Sequence, residues 1–145
     1  MTSPPVRDRL WLDTLFAAHA GALTAYATRR VPLHDVDDVL AEVFAAAWQH
    51  RDRVPDPALP WLYRTASHVV LHTWRSRDRA RRLAARLHAE PATEVDDHAD
   101  RVAGNLDDTA EVLAALAALT DRDAEVLRLS TWEELDTDEL AYVLG

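Results

Sequence analysis

Residues 60–86 read PWLYRTASHVVLHTWRSRDRARRLAAR, and their spacing decides the fold. Leu62, Ala66, Val69 and Thr73 recur at intervals of 4, 3 and 4, with Val70 and Trp74 widening that apolar stripe. Arg64, His68, His72, Arg75, Arg79, Arg82 and Arg86 recur at 4, 4, 3, 4, 3 and 4. At about 100° per residue those seven positions stay within one narrow band of a helix. The stretch is therefore expected to be a helix with one buried side and one cationic, histidine-bearing ridge. Trp61 and Tyr63 stand at its start. A basic ridge beside aromatics suits an anionic polymer whose bases can be stacked. The plainer readings are a solvated face, an internal partner for acidic segments, and core positions for Trp61 and Trp74.

The composition agrees with helices. The chain has 145 residues, 48% of them apolar, and only 3 glycines. Alanine, leucine and arginine dominate, which favours an all-α fold over sheets. There is no cysteine, so disulfides and thiolate chemistry are excluded. No apolar run approaches about 18 residues, so no membrane-spanning helix is expected. The opening MTSPPVRDRLWLD lacks the apolar core of a secretory signal, and a cytoplasmic protein is expected. The net charge of −9 is unevenly divided. Residues 1–60 carry 6 Arg against 8 acids, residues 61–88 carry 7 Arg against 1, and residues 89–145 carry 3 Arg against 16. A concentrated basic segment thus sits inside an acidic chain, where the acidic third can fold back and mask it.

Taken in order, residues 1–9 are a polar lead. A first helix is expected over 10–30, with Leu12, Leu15, Phe16, Leu23 and Tyr26 on its buried side and Pro32 ending it. Asp35 is read as the N-cap of a second helix reaching about His50. Asp37 and Asp38 suit its first turn, and Val36, Val39, Leu40, Val43, Phe44 and Ala47 form its stripe. A proline-containing loop follows, and Pro60 opens the third helix. Residues 89–106 read as an acidic linker. Beyond it, Asp107 or Asp108 is expected to cap a helix over 109–119, Thr120 a helix to 129, and Asp136 with Glu139 a capping box for a last helix closed by Gly145.

Two blocks in this order resemble a known family. DVDDVLAEVFAAAW at 35–48, a short loop and PWLYRTASH at 60–68 resemble the second conserved region of bacterial sigma-70 factors, nearest to the extracytoplasmic-function type. AALTDRDAEVLRL at 117–129 with LDTDELAYVLG at 135–145 resembles the family's fourth region. The resemblance implies an all-α chain: a three-helix region 2 domain over 1–88, a linker over 89–106, and a partial helix-turn-helix region 4 over 107–145. The fourth-region likeness stops at Gly145, before the basic recognition helix that reads the −35 element. A truncated region 4 is therefore expected.

The resemblance also implies roles. Asp35, Asp37, Asp38, Leu40, Glu42 and Phe44 would dock on the clamp helices of the largest subunit of RNA polymerase core. Trp61, Tyr63, Arg64, His68, His72, Arg75, Arg77, Arg79 and Arg82 would bind promoter DNA and open its −10 element. The chain departs from the family pattern at Ala41, where glutamine is usual, at His68 and His72, where asparagine and aspartate are common, and at Glu134, in place of a turn glycine. The implied activity is promoter-directed transcription initiation, possessed by the polymerase and not by an enzyme site here. No cofactor is expected. An anti-sigma factor is a further implied partner, and the other reading is a decoy that binds core or an anti-sigma factor without initiating. A metal site at His68 and His72 is disfavoured, because the intervening Glu of zinc hydrolases and any third ligand are missing. For the acids of 35–38 the plainer reading is helix capping and solvation.

Overall fold

The computed structural model describes residues 3–87 and 106–145. Among them the backbone forms six α-helices and a single 3-10 turn, Arg51–Arg53, with no strand. The helices are α1 (Arg9–Thr28), α2 (Leu33–Gln49), α3 (Leu59–Leu87), α4 (Leu106–Ala117), α5 (Asp121–Thr131) and α6 (Thr137–Leu144). The all-α expectation holds. Of the linker expected at 89–106, residues 89–105 lie outside the described residues and Leu106 is the first residue of α4.

Local signals explain most helix ends. The Asp8 carboxylate accepts the Trp11 amide at 3.1 Å and starts α1. Thr120 accepts the Asp123 amide at 3.1 Å and starts α5. Asp136 and Glu139 form a reciprocal capping box at 2.8 and 2.9 Å, and Gly145, at φ 81°, closes α6. Glu134 takes a positive φ of 55°, a conformation that a Cβ makes costly and glycine tolerates.

Two starts differ from the sequence reading. Asp35 is not the N-cap of α2. Pro32, at φ −58° and ψ 152°, already supplies the extended cap geometry, so the helix begins at Leu33 and Asp35 falls in its first turn. Its amide donates to the Pro32 carbonyl at 2.9 Å, and its carboxylate is left for another partner. Likewise α4 begins at Leu106, so Asp107 and Asp108 lie inside the helix.

Helices α1, α2 and α3 pack against one another around Leu23, Tyr26, Val39, Val43, Leu62, Ala66 and Val70. The apolar periodicity of α3 is what turns it inward, and Leu62 is fully buried. Helices α5 and α6 join the same core: Leu129, Leu135 and Val143 are buried in it, and α6 packs on α3. Phe16 departs from expectation, being 49% exposed. It sits at the edge between α1 and α2, where Phe44 takes the buried place and the two rings meet at 4.9 Å. Trp74, 42% exposed, is held at the rim by its Nε1, which donates to the Arg30 carbonyl at 2.8 Å. From Arg75 onward α3 runs past the core, and all its residues but Arg77 are exposed.

Candidate functional site

The outward side of α2 carries Asp37, Asp38 and Glu42, all exposed and without an ion pair among the described residues. Ala41, Ala45 and Trp48 are exposed on the same helix. The 3.6-residue repeat produces this face: every third or fourth position goes to the core, and the positions between go to water. Three unneutralised carboxylates around a weakly polar strip suit a basic, partly apolar partner. Leu40 is half-buried and Phe44 buried, so these two support the face from beneath. Phe16 and Trp48 are large apolar groups exposed nearby. The Arg51 guanidinium lies 4.6 Å over the Trp48 ring.

Asp35 borders that face, three residues before Asp38 and seven before Glu42, but it is half-buried and its charge is taken up. Its carboxylate accepts Arg77 Nε at 2.8 Å and stands 2.6 Å from Arg77 Nη2, with His34 beside the same guanidinium. A residue expected to meet the polymerase and one expected to meet DNA are thus paired with each other, tying the start of α2 to the middle of α3.

The ridge on α3 is formed as its spacing requires. His68, His72, Arg75, Arg79 and Arg82 are exposed along one side. Arg82 pairs with Asp78 at 3.1 Å, an exposed pair worth little in water. Arg77 leaves the ridge for Asp35. At the start of the helix the picture differs from expectation. Tyr63 is buried, not surface-lining: it meets the Tyr26 ring at 5.4 Å. Burial, with the Glu133 carboxylate nearby, raises its phenol above the ordinary value. Trp61 is half-buried against the core. Arg64 donates to the Tyr142 carbonyl at 3.3 Å, with its guanidinium 5.2 Å from the Tyr142 ring. Tyr63 is closed in by Tyr26 of α1, and Arg64 is engaged by α6, which packs on α3.

What fastens α5 and α6 was invisible in the sequence. Arg30, 1% exposed, donates from Nε to Glu125 at 3.0 Å and from Nη1 and Nη2 to Glu133 at 3.3 Å each. Nη1 also donates to the Tyr26 carbonyl at 3.0 Å, and the guanidinium lies 3.7 Å over the Tyr26 ring. Arg29 reaches the same Glu133 at 3.1 Å and stacks on Trp132. Burial opposes the Arg30 charge, but Tyr26, Glu125 and Glu133 together hold its pKa above the ordinary value. Burial pushes the Tyr26 phenol well up, so it stays neutral as a packing group.

Among the described residues no group of three or more His, Cys, Asp or Glu is placed to hold a metal ion, and no helix is long and apolar enough to cross a membrane. His68 and His72 both face solvent.

Residues 15–80 match the family model described as Sigma-70 region 2, a span running from the buried side of α1 through α2 and most of α3. No curated protein and no solved structure matches the chain. The matched segment coincides with the three helices that pack on one another and that carry both the acidic face and the arginine ridge, so this part of the chain is similar to region 2 of sigma-70 factors.

Proposed function

We propose that the chain is a sigma factor of the extracytoplasmic-function type, working in the cytoplasm. Its α2 face docks on the clamp helices of RNA polymerase core, and its α3 ridge holds promoter DNA as the −10 element opens. Residues 107–145 act as a partial region 4, and residues 89–106 as the linker between the parts. The observation that carries this reading is the region 2 match over 15–80 together with three exposed carboxylates on α2 that nothing in the described chain neutralises. The chemistry of initiation then belongs to the polymerase.

The docking face is tested by gel filtration with bacterial polymerase core. Wild type is expected to co-elute, and Asp38→Arg to bind at least about tenfold more weakly, since a like-charge contact at an interface costs more than about 1.4 kcal/mol. Equal binding by both proteins would remove α2 from the interface.

The ridge is tested with a labelled single strand of −10 sequence. Arg75→Ala with Arg79→Ala is expected to weaken binding and to reduce the slope of log affinity against log salt by about 1.4, roughly 0.7 for each phosphate no longer neutralised. An unchanged slope means that these side chains are merely solvated. Both are exposed and carry no ion pair among the described residues, so stability should move little.

One observation favours a second reading. Because α6 engages Arg64, part of the ridge is covered. The chain then serves as a module that binds core, or an anti-sigma factor, without starting transcription. Core binding without promoter-dependent transcripts in a reconstituted assay separates the two.

A further inference from the structure

We propose that α1–α3 carry a second recognition surface, a cleft centred on Arg30 that takes an acidic two-helix element, and that its filling by α5 and α6 competes with single-stranded nucleic acid for the start of α3. The inference rests on the nucleic-acid reading of α3 given above.

The cleft differs in kind from the α2 face and the α3 ridge. Its guanidinium is buried and satisfied on every side, by two carboxylates, one backbone carbonyl and an aromatic ring. Its apolar part accepts Leu129, Leu135 and Val143. A site that matches a forked cation to two carboxylates and lines the rest with aliphatic groups is selective for an acidic amphipathic helix pair. The acidic third of the chain supplies one.

The consequence follows from where α6 lands. The Arg64 guanidinium is engaged by the Tyr142 carbonyl and ring, while Tyr63 beside it is buried against Tyr26 of α1. With α6 in place, Arg64 has one donor and one face engaged by Tyr142, which narrows a phosphate's approach to it. His68, His72, Arg75 and Arg79 remain open, so the covered start and the open middle of the ridge divide the surface in two. If only a tenth of the molecules have α6 released, apparent affinity for the full surface falls about tenfold.

The test uses the full chain with Glu125→Gln and Glu133→Gln together. These residues lie outside both proposed binding surfaces, and their loss leaves Arg30 free to be hydrated once α5 and α6 leave. A charge-matched comparison, Asp121→Asn with Asp123→Asn, makes the same change in net charge on exposed side chains of α5 that carry no ion pair among the described residues. The readouts are amide hydrogen exchange in α6 and affinity for a labelled single-stranded oligonucleotide. Expected are faster exchange in α6 and about tenfold tighter binding for the Glu pair, with neither change in the Asp pair. Faster exchange with unchanged affinity overturns the competition. Unchanged exchange overturns the assignment of Arg30 as the anchor. Equal tightening in both pairs reduces the effect to net charge and also overturns the proposal. If the helices open and no protein binds the strand, the nucleic-acid reading of α3 itself falls, a result distinct from the other three.

Discussion

Arg30→Met is expected to remove about 3–5 kcal/mol of the free energy that holds α5 and α6 against the first three helices. Methionine fills much of the space, so the loss comes mainly from charge. The side chain of Glu133 is only 2% exposed, and removal of Arg30 strands its carboxylate away from water. Arg29 still reaches Glu133, but Arg29 is half-exposed and contributes less. The measurement is amide exchange in α5 and α6 of the full chain, converted to opening free energies. The coupling can be isolated by a double-mutant cycle with Glu133→Gln. A loss below about 1 kcal/mol would place this network with ordinary surface ion pairs and would refute its role as the anchor.

Leu62→Ala should act on the whole molecule, costing about 3–5 kcal/mol in chemical denaturation followed by far-UV circular dichroism. Leu62 is fully buried where α3 meets the other helices. Alanine is an excellent helix former, so none of the loss can come from propensity; it comes from the lost burial and the cavity left behind. Leu71→Ala is the comparison within the same helix. Leu71 is 41% exposed, and its removal should change stability by no more than about 0.5 kcal/mol. Equal effects at the two positions would mean that the apolar stripe of α3 has been assigned to the wrong side.

The helices were legible because their signals are short in range. Stripes at intervals of three and four set the buried sides of α2 and α3, and Thr120, Asp136 and Gly145 each mark a helix end by a bond to a backbone group within four residues. Competing local signals decide the exceptions. Pro32 pre-empted Asp35 as a cap, because a fixed φ costs the chain nothing further while a side-chain cap must be ordered. Phe16 followed the apolar period of α1 but lies at the seam between α1 and α2, where helical position alone does not settle depth.

The sequence by itself therefore determined an all-α chain, the helix that carries the arginine ridge, the acidic side of α2, and the resemblance to sigma-70 region 2 that the family match over 15–80 supports. Only the tertiary structure decided which charges remain available. Arg77 faces Asp35 across 42 residues, and Arg30 faces Glu125 and Glu133 across 95 and 103. An arginine's identity fixes its charge and its fork of donors, but not its partner, because any of the chain's many carboxylates can satisfy it until packing brings one within about 3 Å and removes the water. The same holds for Tyr63. Its place one residue from Leu62 allowed either a wet or a dry ring, and packing into the common core against Tyr26 of α1 made it dry.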